Sequence, residues 1–182
     1  MRRYFQFLLI GLILGLFTEV QLKFVAGINP AAFLVAMAVY PVILTLMLGV
    51  GELLDRTVPS VWTADLLHYL IGGVGGLAFE WFLLGNGPGS NAFQPGMFAM
   101  WTTFCFGPRV LTRSSIGTGV RKFWTAFAVV ALLMTAFLLI VPPDTGARVV
   151  LAVYGLSLSY AVWSVWLLVL ARKSTRDSEQ AV

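Results

Sequence analysis

An all-α, polytopic membrane helix bundle is the fold class this sequence predicts, and three observations predict it. The 182-residue chain is 59% hydrophobic and only 11% charged, where soluble domains are about a quarter charged. Its mean hydropathy is +0.88, so a bilayer rather than water is the expected main solvent. The apolar runs are long and continuous, whereas strands of a membrane barrel would alternate over short segments.

A helix needs about 20 largely apolar residues to cross the hydrocarbon. Six segments meet or approach this: about 5–25, 31–51, 64–85, 93–110, 122–142 and 147–171. Residues 1–171 then form a single six-span domain, and 172–182, "RKSTRDSEQAV", a polar cytoplasmic tail expected to be disordered. The first segment has the basic start and apolar core of a secretory signal. It continues as "TEVQLKF" rather than into a small-residue cleavage site, so it reads as a span. Pro41 falls inside the second segment and should kink it, which a bundle tolerates when neighbours satisfy the freed carbonyl. The fourth is the weakest, with Gln94, Pro95 and Pro108; Pro95 suits a first helical turn and Pro108 the exit.

Charge placement orients these spans. Arg2, Arg3, Arg56, Arg109, Arg113, Arg121, Lys122, Arg172, Lys173 and Arg176 fall on one side, against Lys23 and Arg148 on the other. This ten-to-two division predicts both termini in the cytoplasm, an inner-membrane arrangement if the source is bacterial. The same placement explains the pI of 9.6 without nucleic acid, because no basic patch is interleaved with aromatics outside the spans.

Cysteine and histidine exclude several chemistries. Cys105 and His68 are the sole residues of their types. One chain therefore builds no internal disulfide, CxxC pair, thiolate cluster, bis-His haem or multi-His metal site. No cofactor or metal is expected. No internal repeat supports an inverted-repeat transporter.

The candidate residues lie in two spans and one loop. In "GLILGLFTEVQLKF", Gly11, Gly15, Glu19 and Lys23 recur every four residues along one helix face. Gly11 and Gly15 form a GxxxG pair for close helix approach, and Glu19 and Lys23 stand at i and i+4, the favourable order for an ion pair. In "GGVGGLAFEWFLLGNGPGSN", Gly72 and Gly76 form a second GxxxG, and Glu80, four residues after Gly76 and seven after Gly73, shares the face of those two glycines to within about 40° on an ideal helix. At 1.5 Å rise, Glu19 lies about 21 Å along its span and Glu80 about 24 Å along its own, both in the outer leaflet. Glu19, Lys23 and Glu80 are thus expected to form one intramembrane polar cluster, and such groups are functional candidates because they are costly to bury. The competing reading is an interfacial pair that snorkels to the headgroups.

The loop "GNGPGSNAFQPG" carries no charge and would lie over this cluster, with Asn86, Asn91 and Gln94 able to hydrogen-bond a ligand. It lacks the GK[ST] and preceding strand of a phosphate loop, and an ordinary breaker-rich turn is the plainer reading. His68 is expected to be solvated or interfacial, with Asp65 near enough to cap its helix. The six tryptophans are expected in belt and packing roles. Ser157 and Ser159 have no neighbouring base in sequence, which argues against a serine nucleophile.

The gross form of about 180 residues, six spans and both ends inside resembles the substrate-binding subunits of energy-coupling-factor vitamin transporters. That similarity is one of size and topology, and it implies a component that binds a vitamin-like small solute. Two other classes fit the residues. One is a non-catalytic subunit or assembly factor whose GxxxG faces meet partner helices. The other is a membrane enzyme acting on a lipid or isoprenoid with Glu80 as acid or base, for which partnering ligands or a nucleophile are lacking. Expected partners are the lipid bilayer and, through the glycine faces, other membrane subunits.

Overall fold

The computed structural model describes residues 2–27, 32–85, 87, 94–113, 116–142 and 146–179. These form six α-helices: α1 (Arg2–Glu19), α2 (Ala32–Thr57), α3 (Val61–Phe82), α4 (Gln94–Leu111), α5 (Gly117–Ile140) and α6 (Gly146–Glu179). A π-helical segment, Val20–Val25, extends α1. Among the described residues there is no strand.

Local signals set the boundaries. α2 stops at Thr57, just before Pro59, where the residue preceding a proline leaves the helical region. Ser60 caps α3, its Oγ accepting from the Thr63 N–H at 3.3 Å. Asp65, expected as a cap, is instead fully buried in the bundle. α2 continues through Pro41 for 26 residues, and the Pro41 carbonyl accepts from Thr45 Oγ1 at 2.8 Å. α6 runs on past Ala171 to Glu179, so the tail expected to be disordered is helical over 172–179. Ser174 and Thr175 are buried there, and Arg172 stands over the Trp62 ring, 5.6 Å from its centre. Those contacts hold a sequence whose composition alone does not predict order.

Among the described residues, four stretches are long and apolar enough to cross a membrane: Arg2–Val25, Phe33–Thr57, Gly117–Ile140 and Gly146–Asp177. The chain is thus compatible with an integral membrane protein. The exposed faces match, since Leu34, Val42 and Leu46 of α2, Leu132, Leu133 and Phe137 of α5, and Leu158, Val162 and Val165 of α6 all point outward. In water such surfaces would associate; in lipid they cost nothing.

α3, with Asp65, His68, Glu80 and four glycines, falls short of that criterion although Leu70, Ile71 and Val74 face outward. α4 falls short for a different physical reason. α4 is the central helix, packed by α1, α3 and α6 with α2 alongside. From residue 96 to 111 only Phe98 is not buried. A helix enclosed by protein has no lipid-facing side, so it tolerates Thr102, Thr103, Pro108 and Arg109 where a lipid-facing helix would not. The weakest span by hydropathy is the core of the bundle. α5 lies outermost, against α6 and the π segment.

Glycines let α4 sit this close. A Cβ at Gly72 would lie 2.7 Å from Cβ of Cys105, and one at Gly76 only 2.0 Å from Cγ of Trp101. At Gly11 and Gly15 the same atom would meet Leu44 of α2 and Phe104 of α4, at 2.3 and 2.7 Å. Within this chain Gly11 faces α2, and Gly15, Gly72 and Gly76 face α4.

An aromatic cluster joins α1, α5 and α6. Phe17 meets Phe127 edge-on at 5.3 Å and Trp163 at 5.6 Å, and Phe127 meets Trp163 at 4.7 Å. Tyr160 of α6 accepts from Thr18 Oγ1 at 2.7 Å and donates to the Leu14 carbonyl. Arg148 holds the far ends of these helices together, donating from Nε to the Val141 carbonyl at 2.8 Å and from Nη1 to the Val25 carbonyl at 3.2 Å. A cation there satisfies carbonyls that a helix C-terminus leaves open.

Candidate functional site

α1, its π extension, α2, α3 and α4 line a half-open pocket of about 460 Å³. Thr18, Glu19 and Lys23 line it from the first helix and its extension, Tyr40 from α2, Glu80 from α3 and Trp101 from α4. Leu22, Val35, Ala36, Val39, Phe79, Leu84, Met97 and Met100 complete an apolar wall. The structure thus brings Glu19, Lys23 and Glu80 to one pocket, from segments 57 or more residues apart in sequence between Lys23 and Glu80.

Each carboxylate has a donor that the sequence did not reveal. Tyr40 Oη donates to Glu19 Oε1 at 2.7 Å, and Trp101 Nε1 donates to Glu80 Oε1 at 3.2 Å. Tyr40 and Trp101 are themselves in edge contact, their ring centres 6.0 Å apart. The two acids are therefore linked through a pair of touching aromatics. Glu80 is 8% exposed and Trp101 1%, so this end of the pocket is largely desolvated and its electrostatics are strong. Lys23 and Glu80 both lie within electrostatic reach of Glu19.

The i, i+4 ion pair expected between Glu19 and Lys23 is not made. The helix passes from α to π at Val20, and the Ala26 N–H bonds the Gln21 carbonyl at 2.8 Å, five residues back. The wider π turn carries Lys23 off the axial line through Glu19, so i+4 no longer stacks over i. What fixes the π segment is tertiary: Gln21 is buried, and its Nε2 donates to Thr135 Oγ1 of α5 at 2.6 Å. Lys23 is left on the pocket wall.

Of the loop residues, Asn86 and Asn91 lie outside the described residues. Gln94 opens α4, but its side chain is likewise outside them.

The opposite end of the bundle holds a second polar assembly. Arg109 of α4 donates through Nε to Asp65 Oδ1 at 2.8 Å, through Nη1 to the Gly51 carbonyl at 3.2 Å, and through both terminal nitrogens to Asp55. Arg113 donates through Nη1 to Asp65 Oδ2 at 2.8 Å. Two carboxylates thus meet two guanidinium groups, and the network ties α2, α3 and α4 together. Arg109, counted among the basic residues that orient the spans, is buried. His68, expected at an interface, is also fully buried, edge-on to Phe106 at 6.1 Å. Neither of its ring nitrogens hydrogen-bonds a described residue.

No family model, curated protein or solved structure matches this chain.

Proposed function

We propose that this is a multi-pass integral membrane protein, with six membrane crossings and both termini in the cytoplasm, that binds a small solute in the outer half of its bundle. The pocket among α1, α2, α3 and α4 carries the reading. Apolar walls with a few convergent polar groups at one end are the usual form of a small-molecule site, and about 460 Å³ lies within the range such sites occupy. The ten-to-two charge division supports the orientation that turns this end outward. Counting α3 and α4 as crossings is supported by their lengths of 22 and 18 residues, by the outward apolar face of α3 at Leu70, Ile71 and Val74, and by the burial of α4 at the centre of the bundle. A substrate-binding or transport component is the role such an outward pocket serves.

Thermal unfolding of the purified protein against a library of vitamin-like and other small solutes tests the reading. Some solutes should raise the unfolding temperature, and Val39→Trp, which fills the pocket wall, should abolish the rise. If no solute stabilises the protein, or if Val39→Trp responds as the wild type does, the pocket is not a binding site.

A further inference from the structure

The charge inventory of the pocket identifies a ligand class. Its lining holds two carboxylates, Glu19 and Glu80, and one ammonium, Lys23. Segments 28–31 and 86–93, which adjoin the lining helices in sequence, contain no Lys, Arg or His. Arg148, the remaining cation at this end, donates to the carbonyls of Val25 and Val141. The lining therefore carries one more acid than base, and Lys23 does not cancel Glu19 by contact.

Glu80 is buried, and a desolvated charge is costly unless an opposite charge joins it or the acid takes up a proton. A single positive charge brings the sum of Glu19, Glu80, Lys23 and ligand to zero. Tyr40, Phe79 and Trp101 line the same space, and aromatic side chains are the surfaces that attract ammonium groups. Met97, Met100, Val39 and Leu22 offer the apolar wall for the rest of the molecule.

We propose that the pocket takes a small organic monocation, a protonated or quaternary amine with an apolar body, its charge placed between Glu19 and Glu80. The inference rests on the pocket being a binding site, as proposed above. A zwitterion would leave the excess acid uncompensated. An anion would face two carboxylates in one pocket.

Four probes of matched size decide the class: phenethylammonium, 2-phenylethanol, 3-phenylpropanoate and zwitterionic phenylalanine. Calorimetric titration uses the protein in nanodiscs, with empty nanodiscs subtracted to remove partitioning into lipid. Phenethylammonium is expected to bind at least about tenfold more tightly than the other three. Glu19→Gln keeps an acceptor for Tyr40 while removing charge, and should weaken phenethylammonium by about tenfold or more. Glu80→Gln should do the same. Lys23→Gln removes a like charge and should strengthen it.

Stronger binding of the alcohol or the carboxylate overturns the class and leaves the pocket reading standing. Preferred binding of phenylalanine, weakened by Lys23→Gln, also overturns it, in favour of a zwitterion. Failure of all four probes to bind, in protein whose unfolding temperature no solute of the wider library raises, overturns the pocket itself. Unfolding curves of Glu19→Gln and Glu80→Gln separate loss of binding from loss of fold.

Discussion

At Gly76 a Cβ would lie 2.0 Å from the Trp101 ring, and Trp101 is the donor to Glu80. Gly76→Ala should therefore cost about 1–3 kcal/mol through overpacking and displace the indole, read as a lower unfolding temperature with a shifted tryptophan emission. Asp65 answers to a different rule. It is fully buried between Arg109 and Arg113, so Asp65→Asn leaves guanidinium charge uncompensated and should cost about 3 kcal/mol or more. Asp55, whose side chain is 45% exposed, is screened by solvent, and Asp55→Asn should cost at most about 1 kcal/mol. Equal losses at the two aspartates, measured by unfolding in matched detergent, would show that burial does not set the strength of this network. The acids themselves were legible in the sequence, because a charged residue in an apolar run stands out. Tyr40 and Trp101 were not, since an aromatic in a span reads equally well as packing or belt. Only the placement of Trp101 against the Gly76 notch shows that its N–H turns to Glu80.

At the scale of the helices, α4 is the element that sequence reasoning ranked lowest and the structure places at the centre. Hydropathy measures fitness for lipid, and α4 meets little lipid. Its Thr102 and Thr103 are fully buried with hydroxyls that bond no described residue. Replacing a buried hydroxyl that lacks a partner with a methyl of the same shape removes a desolvation penalty. Thr103→Val is thus expected to leave stability within about 1 kcal/mol of wild type or to raise it, whereas a fall in unfolding temperature would mean the hydroxyl is engaged. The π segment was invisible for another reason: it arises from Gln21 reaching Thr135, residues 114 apart in sequence. Local periodicity carries no sign of that contact, and so it placed Lys23 above Glu19 as an ordinary α-helix would. The bounds of α1 with its π extension, α3 and α4 lie within about three residues of the expected spans. α2 instead runs on to Thr57 and α6 to Glu179, well past the expected ends at 51 and 171, because Pro59 and Ser60 set one boundary and burial of Ser174 and Thr175 the other.

For the whole molecule, the class of object follows from composition, while the interior arrangement follows from which side chains need protein rather than lipid. The six-crossing orientation makes a further prediction. Single cysteines placed at Ser60 and Thr118, in a Cys105→Ser background, should be labelled by an impermeant thiol reagent only when it is added from the cytoplasmic side. A cysteine at Gly27 should react only from the outer side. Labelling of Ser60 and Gly27 positions from the same side would overturn the orientation and with it the outward-facing pocket. The account's central claim is that Glu19 and Glu80 converge on a cavity that holds a small molecule. A density map of the wild-type protein, purified gently from its native membrane into nanodiscs, tests that claim most directly. The account predicts compact, non-lipid density between Tyr40 and Trp101 within hydrogen-bond distance of Glu19 and Glu80. A lipid chain filling that volume, or a cavity closed by the two helices that carry the acids, would contradict it.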